Sequence, residues 1–168
     1  SASWRKSAEM MLSDVRREEL ITSARHLGVH EIAWLGWTEN FGADAARLRC
    51  ALRKQIRSFD PHVVITLNEA GITRHSDHSW AALATYRAVL DAAHISTSSL
   101  ERFYTVTLPE ASTRFDYWGE IDIEDHCRVT IEVDGHAAQR LAACHSHRSQ
   151  SHWVKYLQSV DLLEPEQE

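Results

Sequence analysis

The chain has 168 residues and a formal charge of −6 at pH 7, with 18 basic and 24 acidic side chains. Its 43% hydrophobic content is typical of one globular domain with a sizeable core. Residues 61–168 carry 8 basic and 16 acidic groups, which disfavours a nucleic-acid partner because such partners require a basic face. No apolar run approaches the roughly 18 residues that span a bilayer, so no membrane span is predicted. Three scattered cysteines favour reduced thiols, and we expect a cytoplasmic protein.

The first half of the chain alternates between helical and strand patterns. Asp14 is a candidate cap for a helix that runs to about Leu27 and stops at Gly28. Further helices are predicted over about 43–58 and 77–93, and short apolar runs predict buried strands. The two strands cover residues 32–37 and 62–67. This α-β-α-β-α order predicts a parallel sheet with right-handed crossovers.

The second half has a looser pattern. Residues 103–108 and 128–133 are predicted strands around a polar loop. Asp134-Gly135 then opens a helix that runs toward Gln150. Neither a repeat nor a change in composition divides the chain, so residues 1–168 are predicted to form a single domain.

Arg74-His75-Ser76-Asp77-His78 places two imidazoles and a carboxylate directly after the predicted strand at 62–67. Ser76 is a candidate N-cap for the following helix. The cluster therefore lies where open α/β sheets bind their ligands, at a strand C-terminus and a helix N-terminus. Neutral imidazole is a common zinc ligand, and a nearby carboxylate can orient a second ring. A polar helix terminus with solvated histidines is the alternative interpretation.

Other polar residues indicate a functional site only when they are considered together. Arg16 adjoins the apolar stripe of the first helix and can form a surface ion pair with Glu19 at i+3. Glu39 follows the strand at 32–37, on the sheet edge predicted for His75. Three polar residues cluster on the last predicted helix: His145, His147 and Gln150.

Five segments, in this order, resemble motifs of the PIG-L/LmbE-type zinc-dependent deacetylases, which remove the acetyl group from N-acetylglucosaminyl compounds. The motifs are R-x-x-E-L…L-G-V, L-G-aromatic-x-D, P-D-V-V, G-H-P-D-H and K-x-x-A…H-x-S-Q, and the similar segments are residues 16–29, 35–39, 60–64, 74–78 and 140–150. The resemblance covers about residues 14–150. It implies an LmbE-like α/β fold, a Rossmann-like three-layer sandwich with a mostly parallel sheet.

The resemblance also implies roles for individual residues. His78 would be a ligand of Zn²⁺, His75 the imidazole that stabilises the oxyanion or acts as acid, and Asp77 the carboxylate that orients it. The substrate would be a small acetylated amino-sugar conjugate, and the oligomeric state stays open. Four residues would contact the substrate or border its cleft: Arg16, Glu39, His147 and Gln150.

The sequence departs from the family pattern in one major respect. The opening strand and its A-H-P-D-D-E motif, which supply two zinc ligands and the general base, do not occur here. We therefore expect a piece of a longer protein that lacks the first β-α unit and holds zinc weakly or not at all. Two functions stay open: a zinc-dependent amidohydrolase, or a non-catalytic relative that binds a sugar or metabolite.

Overall fold

The computed structural model describes residues 2–37, 44–72, 75–95, 98–106 and 131–159. Helices and strands follow in the order α1 (Ala2–His26), α2 (Ala45–Phe59), β1 (Val63–Leu67), α3 (Ser76–Ala93), β2 (Arg102–Val106), α4 (Ala137–His145) and α5 (Ser151–Ser159). One-turn 3-10 helices at Asp134–His136 and Arg148–Gln150 precede α4 and α5. The chain divides into two compact units, residues 1–32 with 131–168, and residues 33–130. None of the described helices is long and apolar enough to cross a membrane.

Helix α1 ends as the sequence predicts. Gly28 has φ +70°, its N–H donates to the Arg25 carbonyl, and the Val29 N–H donates to the Ala24 carbonyl at 2.9 Å. This pair of bonds is the Schellman arrangement, which satisfies the last carbonyls of the helix. The predicted start at Asp14 is wrong, because α1 already begins at Ala2. The residues between them include neither Gly nor Pro, so nothing interrupts the helix.

Helices α1 and α4 pack against each other in the first unit, where Ala24 and Ala143 are buried. The helix predicted from Asp134 toward Gln150 is interrupted, since α4 ends at His145. The Ser146 hydroxyl donates to the Ala142 carbonyl at 3.0 Å, a local bond that competes with continued helical pairing. The 3-10 turn and α5, which the sequence patterns do not predict, follow this break.

The second unit contains a β1-α3-β2 arrangement. Strands β1 and β2 are parallel neighbours, in register from Val63 opposite Arg102 to Leu67 opposite Val106. Helix α3 lies against β1 and α2, and its side toward the core is lined by buried alanines. The parallel pair confirms the α/β class. The three-layer sandwich stays a prediction.

The segment 32–37 does not form the strand that its apolar composition predicts. Gly36 has φ +73°, which interrupts an extended conformation, and β1 pairs with β2 instead. The part from Ala33 to Trp37 lines a pocket of about 320 Å³ with residues of α2 and α3. The prediction that both faces of β1 are covered is also wrong, since Ile65 is 61% exposed. Of the strand predicted at 128–133, residues 131–133 form no regular element and the rest lie outside the described residues.

Candidate functional site

The candidate site begins where β1 ends, with a tight loop over residues 68–72. Asn68 is only 4% exposed, and its Oδ1 accepts the Ile72 N–H at 2.8 Å. Its carbonyl accepts the Gly71 N–H at 2.9 Å, and its own N–H donates to the Val106 carbonyl of β2. Gly71 and Ile72 both have positive φ, 66° and 63°. Asn68 therefore holds this loop from the side chain and the backbone together.

Gly71 lies directly against the first turn of α3. A Cβ on Gly71 would lie 2.5 Å from His78 Cβ and 2.8 Å from the Ser79 nitrogen, so the approach requires glycine. The Gly71 carbonyl oxygen lies 3.1 Å from His78 Nδ1. A carbonyl can only accept, so Nδ1 carries the proton and Nε2 carries the lone pair of the neutral ring. This is the state of an imidazole that ligates a metal through Nε2 and donates its other N–H to a backbone carbonyl.

His75 is held differently, as the N-cap of α3. Its backbone is extended, and its Nδ1 accepts the Asp77 backbone N–H at 3.2 Å. The neutral His75 ring therefore carries its proton on Nε2. Ser76, the predicted cap, is the first helical residue instead. The observed contact uses the Asp77 backbone, and a role for the Asp77 carboxylate in orienting His75 stays a prediction.

The two rings form a pair of opposite chemical character. Their centroids are 5.2 Å apart and their planes are inclined by 42°. In these neutral tautomers His78 has its lone pair at Nε2, whereas His75 carries its N–H at Nε2. Zinc requires at least three protein ligands in a catalytic site, and the described residues contain no group of three His, Cys, Asp or Glu side chains able to hold a metal. The described part of the chain thus fits zinc only partly.

A polar contact in the first unit joins Glu19 of α1 to Ser149. Glu19 is 5% exposed, and Ser149 donates to both carboxylate oxygens, from its N–H at 2.7 Å and its hydroxyl at 2.6 Å. The ion pair predicted between Glu19 and Arg16 is not formed, and Arg16 is exposed. The hydrogen bonds from Ser149 lower the pKa of the Glu19 carboxyl, and electrostatic interactions with His147 and Arg148 have smaller effects in the same direction. The sequence patterns assign Ser149 no role, although it lies in the H-x-S-Q segment.

The predicted site residues therefore separate into two groups. His75, Asp77 and His78 come together at the start of α3, in the second unit. The other described residues belong to the first unit: Arg16, His147 and Gln150. His147 precedes the 3-10 turn and Gln150 is its last residue, and the Gln150 N–H donates to the His147 carbonyl at 2.9 Å. Glu39 lies outside the described residues. A common cleft for both groups stays a prediction.

Comparison with known families adds to this geometry. Residues 1–93, more than half of the chain, match the family described as PIG-L: GlcNAc-PI de-N-acetylase. The chain belongs to the PIG-L family. Its members are deacetylase-type hydrolases that act on small acetylated sugars and generally bind zinc. The match includes the R-x-x-E-L helix and residues His75 to His78, and it ends before the H-x-S-Q segment. No curated protein and no solved structure matches the chain.

Proposed function

We propose that this PIG-L chain carries part of the active site of a zinc-dependent hydrolase, which removes the acetyl group from an N-acetylglucosaminyl-type substrate by hydrolysis of the amide C–N bond. The hydrogen bond between His78 Nδ1 and the Gly71 carbonyl is the observation that supports this most. It fixes the tautomer required for ligation through Nε2, at a position that the family match covers.

The chemistry divides between the two histidines. A zinc ion supplies Lewis-acid polarisation of the acetyl carbonyl and activation of the attacking water. His78 would hold it through Nε2. His75, with its proton on Nε2, would donate a hydrogen bond to the oxyanion that develops on the acetyl oxygen. Since Nδ1 of His75 accepts from the backbone of Asp77, this geometry supports oxyanion stabilisation more than the acid role.

The substrate side of the proposal rests on the exposed guanidinium of Arg16, which Glu19 does not engage. Arg16 would bind the sugar part of the acetylated conjugate, together with Glu39, His147 and Gln150. The A-H-P-D-D motif, which would supply the other two zinc ligands and the general base, does not occur in the 168 residues. Full activity therefore requires that motif in addition to these side chains.

Metal analysis tests the proposal most directly. The chain should hold zinc weakly or not at all, whereas the same chain extended by an A-H-P-D-D strand should bind about one zinc ion. His78→Ala should abolish that binding. His94→Ala, at the opposite end of α3, is the matched control and should retain the metal. Tight stoichiometric zinc in the unextended chain, or retention by His78→Ala, would show that the ligand is misassigned.

A non-catalytic relative that binds a sugar or metabolite is the second candidate. It is favoured by one observation, the lack of a three-ligand group among the described residues. Substrate binding and turnover separate the two candidates. An extended, zinc-loaded chain that binds an N-acetylglucosaminyl conjugate and releases no acetate would support the binding module.

A further inference from the structure

A second candidate site lies in the first unit, beside the turn that joins α4 to α5. It is a pocket of about 400 Å³, lined by His145, His147, Arg148, Ser151, Val154 and Lys155. Every described lining residue except Val154 carries a side-chain hydrogen-bond donor, and none of them is acidic. Two of the lining residues, Arg148 and Lys155, are cations, which contrasts with the net charge of −6 of the chain. The volume lies within the range of about 300–1,000 Å³ typical of ligand pockets.

The two permanent cations of the pocket are available to a ligand. Arg148 and Lys155 are exposed, and neither forms an ion pair with a carboxylate of the described residues. Among the described residues, the carboxylate of Glu19 interacts electrostatically with two lining residues, His147 and, more weakly, Arg148. Glu19 is 5% exposed and its carboxylate accepts two hydrogen bonds from Ser149, so it reduces the positive field without occupying the pocket.

The remaining donors suit a tetrahedral oxyanion. Arginine binds phosphate oxygens with its planar fork, and lysine adds a compact charge. The imidazoles of His145 and His147 each supply at least one ring N–H when neutral. Ser151 is the first residue of α5, so the positive end of that helix dipole adds to the side-chain charges.

We propose that this pocket binds a phosphate group, carried by a soluble ester or by a lipid headgroup. The proposal goes beyond the deacetylase function, because it requires neither zinc nor an amide substrate, although His147 belongs both to this pocket and to the proposed substrate contacts. It places the recognition of an anion on the α4–α5 turn of the first unit, whereas the histidine pair belongs to α3 of the second unit.

Titration of the full chain with inorganic phosphate tests the proposal, in the presence of a chelator so that metal binding does not contribute. NMR chemical shifts of the backbone amides near Arg148 report binding. Arg148→Gln/Lys155→Gln should weaken saturable binding by about tenfold or more, because two charge-assisted contacts are lost. Arg25→Gln/Lys54→Gln removes the same charge from exposed positions outside the pocket and should change the affinity by less than about twofold. Lys155→Gln alone should give an intermediate loss, which keeps the test valid if the double variant does not fold.

Two vesicle preparations identify the source of the phosphate group. Cosedimentation with phosphatidylcholine vesicles that contain phosphatidylglycerol, and its loss in the pocket variant, indicates a lipid headgroup. Binding of inorganic phosphate without cosedimentation indicates a soluble ester. Equal losses in the pocket and control variants, or shifts that do not saturate, would overturn the proposal, since either result shows only diffuse attraction to surface charge.

Discussion

Ser149 donates its backbone N–H and its hydroxyl to the two carboxylate oxygens of Glu19, at 2.7 and 2.6 Å. The contact joins the R-x-x-E-L helix to the H-x-S-Q segment, 130 positions apart in the chain. Glu19 therefore fastens α1 to the turn before α5. The glutamate that sequence spacing pairs with Arg16 instead holds two segments of the first unit together.

This contact should make the stability of the fold depend on acidic pH. Ser149 holds the pKa of Glu19 below its ordinary value of 4.5, so the folded chain binds this proton less readily than the unfolded chain. The stabilisation is complete above pH 4.5 and is lost as the pH falls through the lowered value of the folded state. Ser149→Ala should lower the Tm at pH 7. The difference in Tm between the parent and this variant should shrink once the pH falls below the lowered pKa of Glu19. Thermal unfolding at several pH values measures this.

Ser13→Ala, at an exposed position of α1, is the control for that experiment and should leave the Tm nearly unchanged. The assigned hydrogen bonds would be contradicted if the Tm difference between the parent and Ser149→Ala stayed constant until the Glu19 carboxyl is fully protonated.

Two glycines with similar backbone angles should differ in their tolerance of a methyl group. Gly28 has φ +70°, and a Cβ added there would meet nothing within 4 Å, so Gly28→Ala should cost only the left-handed strain, about 1–2 kcal/mol. Gly71 has φ +66° and would in addition place its Cβ 2.5 Å from His78 Cβ. Gly71→Ala should cost about 1–3 kcal/mol more than Gly28→Ala, from overpacking. Urea unfolding compares the two, and equal costs would show that α3 does not approach this loop so closely.

The two imidazoles should have opposite neutral tautomers. His75 accepts at Nδ1 and should carry its proton on Nε2, whereas His78 donates from Nδ1. Ring ¹⁵N chemical shifts and long-range ¹⁵N–¹H correlations, recorded at a pH where both rings are neutral, distinguish these forms. Asn68→Ala should disturb the His78 pattern, because Asn68 holds the loop that presents the Gly71 carbonyl. The same tautomer on both rings would remove the basis for their different roles.

His75 should matter for turnover and not for metal content. In the chain extended by A-H-P-D-D, His75→Ala should keep the zinc and lower turnover by about 10²–10³, the usual scale for one oxyanion-stabilising or acid/base group. His75→Asn separates catalysis from folding, because asparagine is a good N-cap but lacks the imidazole. It should restore stability and leave turnover low. Recovery of turnover by His75→Asn would show that His75 serves only as the N-cap of α3.

Sequence patterns predict those parts of the fold that are determined by residues close together in the chain. The stop of α1 at Gly28 and the end of α2 at Phe59, next to the predicted limit of about 58, are set by residues near the break, and both are confirmed. Strand β1 and helix α3 likewise lie within one residue of their predicted bounds. The prediction for segment 32–37 fails because apolar composition does not reveal that Gly36 adopts a positive φ.

The site is less predictable from sequence, because its key contacts join distant or backbone groups. The His75–His78 cluster is visible in the sequence as a motif. The carbonyl that sets the His78 tautomer belongs to the backbone of Gly71, so no residue type in the sequence indicates it. The bond between Glu19 and Ser149 joins residues whose spacing carries no periodic signal. Only the three-dimensional arrangement shows these contacts.

The hydrogen bond from the Asn68 N–H to the Val106 carbonyl links the histidine pair to a strand that is made later in the chain. During synthesis, α3 can form as soon as it leaves the ribosome, but the loop that orients His78 gains this anchor only after β2 has emerged and paired with β1. The residues matched by the family end at 93, before that anchor. A chain cut at that boundary would keep both imidazoles and lose the backbone contact that ties their loop to the sheet.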